Sequence, residues 1–279
     1  MSIWSRCLAL ILTLSLATAC AGLLDGGDDG GGSGGTVKVD DVYAATLTLV
    51  GTAQLATVFC TGPDQAFDVD AEVAAEDVEK ALKDGASCAK VTRTGAKLSL
   101  DFGAGCAPPN SPVKLQGKAE ATLAVDKGKS IQVTLQLNDF GTSNESATGS
   151  GTFSIVKTAA GADVILAVEG TSGNSQLSGG AVVNVAYDGA GYSSVVVNTN
   201  DPTFVTVGPS KLTVDADGVT HKAGDCYPSG GSIQATFAGV KATLAFDAGT
   251  PSSGVAKFTP PLSKKTEDLQ LPGLGWACQ

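Results

Sequence analysis

Histidine, tryptophan and metal-type cysteine spacing are almost absent from this chain, and each absence removes a class of chemistry. A hydrolase needs a nucleophile, a base and a charge stabiliser within reach of one another. The chain has one histidine, His221, three residues past Asp217-Gly218, and no Gly-x-Ser-x-Gly elbow. A lone histidine in that setting is ordinarily a solvated or satisfied side chain rather than a base. Ser154-Ile155-Val156-Lys157 has the serine-to-lysine spacing of penicillin-binding enzymes, but the companion Lys-Thr-Gly is missing and the segment alternates like a strand. No two cysteines have C-x-x-C spacing, so neither a zinc site nor a thioredoxin-type dithiol is expected. Asp215-Ala216-Asp217-Gly218 opens like a calcium loop, yet position 226 is Cys226 where an EF-hand requires an acid, and the segment reads as a hairpin turn. Aromatic residues make up 5% of the chain, and beyond the first nineteen residues Trp276 is the one tryptophan, so a sugar-stacking platform would have few rings. No enzyme, no metal and no cofactor is expected.

What is present begins at the N-terminus. Arg6, the apolar run Leu8 to Leu16 and the small residues Ala17-Thr18-Ala19 before Cys20 form the three parts of an export signal. The run is too short to span a bilayer. Residues 20–35, rich in glycine and aspartate, have nothing apolar to bury and read as a solvated tether. Residues 36–279 then suffice for a single β-rich domain with a helical N-terminal part. The formal net charge is −10, and removal of residues 1–19 deletes Arg6 and no acid, leaving −11. Such a surface repels phosphate backbones, which argues against nucleic acid as a partner.

The start resembles the bacterial lipoprotein class, in which the cysteine after the cleavage site is lipidated and becomes the N-terminus. The match departs from the usual pattern at Ala17, where the class carries Leu. Ordinary cleavage after Ala19, leaving Cys20 a plain thiol, is the alternative. The resemblance implies lipidation at Cys20. With Ala21 rather than Asp following, it implies outer-membrane anchoring, on the periplasmic face or the cell surface.

From Lys97 onward the pattern is β. Val113 to Val125 places apolar residues at odd positions and Lys114, Gln116, Lys118, Glu120 and Thr122 between them, the period of a half-buried strand. Asp126-Lys127-Gly128-Lys129 reads as a turn, and Ile131, Val133, Leu135 and Leu137 resume the alternation. Further short strands follow to Thr259, separated by turn signals at Ala160-Gly161, Asp188 to Gly191, Asn198 to Pro202 and Asp217-Gly218. The expectation is a mainly β protein, an antiparallel meander forming a long curved sheet, sandwich or half-barrel, with one or two N-terminal helices. Val69 to Asp84 reads as an amphipathic helix with Val73, Ala74, Val78, Ala81 and Leu82 on one side and Gly85 as its stop. Asp64, Asp68, Asp70 and Glu72 crowd its start, where the helix dipole accounts for them. Val42 to Phe59 fits either element and leans to helix. Lys97 to Cys106 weakly echoes Lys241 to Thr250.

The motifs around Cys88, Leu98 to Cys106, Gly224 to Gly231 and Leu271 to Cys278 resemble uncharacterised β-rich envelope lipoproteins of Gram-negative bacteria. That resemblance implies a long curved antiparallel sheet with cysteines near its ends, and no catalytic residue.

Of seven cysteines, Cys7 lies in the signal and Cys20 at its end, so five remain for an oxidising compartment. A Cys226–Cys278 bridge is expected, because it would pin a tail interrupted by Pro260, Pro261 and Pro272 that does not readily form regular structure. A second bridge is expected among Cys60, Cys88 and Cys106. Two functions remain: a non-catalytic binding or structural envelope protein whose partner is another envelope protein, a polysaccharide or a small ligand, and a lipid or small-ligand carrier with an open half-barrel. A filled interior favours the first and a large apolar groove the second. An exported hydrolase is third.

Overall fold

A computed structural model describes residues 67–85, 88–107, 114–141, 146–172, 175–187, 192–207, 210–237, 239–261, 263 and 265–271. The ambiguous segment Val42 to Phe59, the signal and the tether lie outside these residues, as do Cys20, Cys60 and Cys278.

Helix α1 (Ala71–Gly85) leads into β1 (Lys90–Thr94), β2 (Lys97–Asp101), β3 (Gln116–Asp126), β4 (Ser130–Gly141), β5 (Ser146–Lys157), β6 (Gly161–Ser172) and β7 (Ser175–Tyr187). There follow β8 (Tyr192–Val207), β9 (Ser210–Lys222), β10 (Gly230–Phe237), β11 (Val240–Ala245), the single helical turn α2 (Thr250–Ser253), β12 (Val255–Thr259) and β13 (Glu267–Gln270). Among the described residues the thirteen strands form one sheet whose spatial order is the chain order, every neighbour antiparallel. The protein is thus a mainly β antiparallel meander.

The alternation explains the core. Ala119, Ala121 and Leu123 of β3, Ile131, Val133 and Leu135 of β4, Val183 and Val185 of β7, and Ile233 and Ala235 of β10 all lie on one buried face. Among the described elements helix α1 packs chiefly on β1–β3. The same face is nevertheless buried on β7 to β12 as part of one apolar cluster. One apolar layer thus runs along the sheet from α1 to β12.

Helix α1 buries Ala74, Ala75, Val78 and Leu82, while Val73 is 51% exposed. The expected stripe is thus rotated: Ala75 replaces Val73 beneath the sheet, and the larger β-branched residue faces outward. Arg93 on β1 clamps the helix, its Nε donating to Glu79 Oε2 at 3.0 Å, while Lys83 Nζ lies 2.7 Å from Glu79 Oε1. Those two bonds, Lys83's first, hold the Glu79 carboxyl below its ordinary range.

Two expected turns are not turns. Asn198 to Pro202 runs inside β8, and Asp217-Gly218 runs inside β9; the hairpins at Asp126 to Lys129 and Ala160-Gly161 are real connections. Between the pairs Val197↔Val219 and Thr203↔Val214, β8 has five residues and β9 four, so the ladder bulges there. Pro202, which has no N–H to donate, falls within that irregular stretch, where a strand tolerates proline. The tail also departs from expectation: between Pro261 and Pro272 the chain forms β13, which pairs with β12 from Val255↔Gln270 to Phe258↔Glu267. Four residues free of proline are enough to add an edge strand.

These irregularities belong to one feature. A line of bulges and glycines crosses the sheet through Gly117 on β3, Asp139 on β4, Gly149 on β5, Gly170 on β6, Gly180 on β7, Asp201 on β8, Gly218 on β9 and Gly231 on β10. Bulges and close backbone approach bend strands and strengthen twist. The approach is tight: a Cβ at Gly117 would lie 2.0 Å from the Asp139 carbonyl oxygen, and one at Gly149 would lie 2.3 Å from that of Glu169. The bulges also switch which residues face inward. On β4, Leu135 and Leu137 are buried, and the extra residue at Asp139 then brings Phe140 to the same face, where its ring meets Phe102 edge-on at 5.7 Å.

Candidate functional site

The same parity switch decides the position of the lone histidine. On β9 Val214 and Ala216 face the core, and after the bulge at Asp217-Gly218 the buried residues are Val219 and His221. His221 is 4% exposed, opposite Val195 in the ladder, so it is an interior side chain rather than a solvated one. Among the described residues, neither ring nitrogen has a hydrogen-bond partner. Burial pushes its pKa below the ordinary value, partly opposed by the nearby Asp225.

The other sequence candidates are dispersed. Ser154 and Lys157 sit on β5, where residues three apart point to opposite faces of the strand, so their spacing does not assemble a serine–lysine pair. Asp215 and Asp217 flank the β9 bulge. Thr199 Oγ1 donates to the Asp215 carboxylate and accepts from the Ala216 N–H at 3.1 Å, and the Gly218 N–H donates to Asn198 Oδ1 at 2.8 Å. These bonds make the segment a stapled bulge. Among the described residues no three His, Cys, Asp or Glu side chains gather to hold a metal ion. Asp68 and Asp70 precede α1, and Asp70 lies 2.8 Å from Lys127 Nζ.

Cys88 and Cys106 are joined, their Cα atoms 5.8 Å apart and 18 residues apart in sequence. The bridge ties the start of β1 to the turn after β2, where Cys106 also pairs by backbone with Leu115. Cys226 is itself disulfide-bonded. Its expected partner Cys278 lies outside the described residues.

A feature absent from the sequence reading lies where the line of bulges crosses β4 to β7. A groove of about 450 Å³ opens there. Register places two polar rows in it: Gln136, Ser150, Glu169 and Ser178 in one, Thr148, Thr171 and Gln176 in the other, with Gly149 and Gly170 in the row between them. The rows are solvent-facing because they alternate with the buried set. Ser150 Oγ donates to Glu169 Oε1 at 3.0 Å, and Thr148 Oγ1 accepts from the Asp139 N–H at 3.2 Å. The first row continues onto β3 at Glu120, which register places beside Gln136. Lys118 and Lys97, 2.6 and 2.8 Å away, hold the Glu120 carboxyl down to about 2. The groove was hidden from sequence because its residues come from four strands; the signal that could have found it is the recurrence of glycine among Ser, Thr, Gln and Asn in β5 to β7.

The fold and groove define a mainly β protein with a filled apolar side and a polar open side. Comparison with protein-family models, curated proteins and solved structures found no match.

Proposed function

We propose that this chain is an exported lipoprotein, anchored at the outer membrane through lipidated Cys20, whose β domain acts by binding or as a structural part of the envelope rather than by catalysis. The observation that carries the non-catalytic reading is the division of the sheet. Its apolar face is buried, with Leu98, Val164, Val183, Ile233 and Leu244 fully enclosed. A carrier of apolar molecules needs an apolar lining left open, whereas the groove described across β4 to β7 is lined mainly by amides, hydroxyls and one carboxylate, with Leu137 and two glycines. His221, the one imidazole, is buried and is not among that groove's lining residues. The short apolar run before Cys20 and the glycine-aspartate tether after it support the anchor.

The test joins both halves of the reading. Palmitate labelling in the native host is expected to mark the wild-type chain and not Cys20→Ser, and a fluorescent fatty acid is expected not to bind the purified protein. Unlabelled wild type would sink the anchor, and saturable fatty-acid binding would favour the carrier.

A further inference from the structure

We infer that the groove across β4 to β7 is a binding site for a neutral, polyhydroxylated ligand, an uncharged oligosaccharide segment, laid across the strands. The inference rests on the non-catalytic binding role proposed above and names the ligand class of its site.

The lining decides the class. Gln136, Asn138 and Gln176 each offer two N–H donors and a carbonyl acceptor, and Ser150 and its neighbouring hydroxyls both donate and accept. Glu169 adds an acceptor-only carboxylate already engaged by Ser150. This mixture matches a ligand that itself presents hydroxyls in both senses. No Lys or Arg lines the groove, so a phosphate, sulfate or carboxylate ligand would meet Glu169 without a countercharge. A lipid chain would leave the amides unpaired, which costs more than its own burial returns.

The shape agrees with the chemistry. Four adjacent strands at about 4.8 Å spacing make a row roughly 14 Å long, and the volume of about 450 Å³ lies within the range of small-ligand sites. The two polar rows flank the glycine pair Gly149 and Gly170, and because strand side chains alternate faces both rows project to the same open side. No aromatic ring lines the site, so affinity depends on hydrogen bonds alone and falls in the weak range typical of solvent-competed polar contacts.

The experiment titrates the full chain, held in a zwitterionic detergent free of sugar headgroups, with cellotetraose, maltotetraose and chitotetraose, and with tetragalacturonate as the anionic comparison. Amide shifts and calorimetry report binding, and chromatography reports whether the sugar is intact. At least one neutral tetramer is expected to shift the amides of Gln136, Ser150, Glu169 and Gln176, with tetragalacturonate bound at least tenfold more weakly. Glu169→Ala and Gln176→Ala, exposed positions whose loss leaves the core untouched, are each expected to weaken binding by about tenfold. Shifts confined to other surfaces, equal binding of the anionic tetramer, or no response to any neutral tetramer would overturn the inference while leaving the non-catalytic reading in place. Cleavage of a bound tetramer would support the ligand class and overturn the non-catalytic reading instead.

Discussion

Gly149 of β5 and Gly170 of β6 stand directly opposite each other in the ladder, and at both positions a Cβ would intrude on backbone of the neighbouring strand, 2.3 Å from the Glu169 carbonyl oxygen for the first and 2.9 Å from that of Thr148 for the second. The two polar rows of the groove flank this pair, one on each side of it along the strands.

Gly149→Ala is therefore expected to destabilise the protein by about 1–3 kcal/mol, the usual result of forcing atoms into an occupied space. Gly230→Ala, at a glycine with open space around it, is the control and should stay within about 0.5 kcal/mol of wild type. Urea denaturation midpoints of the two variants check this; equal midpoints would show that the neighbouring strand shifts freely to admit the methyl group.

Removing the Cys88–Cys106 bridge by a double Cys→Ala change opens a loop of 18 residues. The expected loss is about 3 kcal/mol in the chain-entropy picture. Non-reducing peptide mapping should recover the Cys88–Cys106 peptide, and Cys226 linked to Cys278. Recovery of Cys226 joined to Cys60 would replace the second pairing.

His221 predicts a pH dependence. Burial lowers its folded pKa, so the unfolded chain binds a proton at a higher pH than the folded one. The contribution to stability is present above the unfolded value near 6.5 and is lost as pH falls from there toward the folded value. Denaturation midpoints should therefore drop between about pH 7 and pH 5, and His221→Phe should flatten that part of the profile. An unchanged slope in the variant would assign the dependence to other groups.

Glu120 predicts a carboxyl that stays ionised in acid. Its titration midpoint is expected at about 2, against an ordinary 4.5, because Lys118 and then Lys97 donate to it. Carboxyl carbon shifts followed through acid titration measure it directly. Lys118→Met should raise the midpoint toward the ordinary value, and no change would mean that Lys97 suffices.

The reading of strands from sequence succeeded where local chemistry is decisive. Ile131, Val133, Leu135 and Leu137 declare a period of two by themselves, and the turn after Asp126 requires only its own residues. Asn198 to Pro202 and Asp217-Gly218 misled because glycine, asparagine and proline serve both turns and bulges. Only a neighbouring strand in register distinguishes the two, and that neighbour is remote in sequence. The echo between Lys97 to Cys106 and Lys241 to Thr250 has a local cause: Phe102 and Phe246 are both buried at the strand ends, and Asp101 and Asp247 each accept an N–H two residues on, from Gly103 and Gly249, at 2.8 Å.

The sequence by itself determined a β meander preceded by an amphipathic helix over Val69 to Asp84, because alternation and helix stops are properties of short segments. Tertiary structure alone decided that His221 is buried, that Val73 faces out and that polar residues of four strands share a groove. The burial of His221 depends on the bulge in β9, because a one-residue shift in a period of two moves every side chain beyond it to the other face, while Val73 is set by how α1 is rotated against β1 to β3 and the groove by the register of four strands remote in sequence.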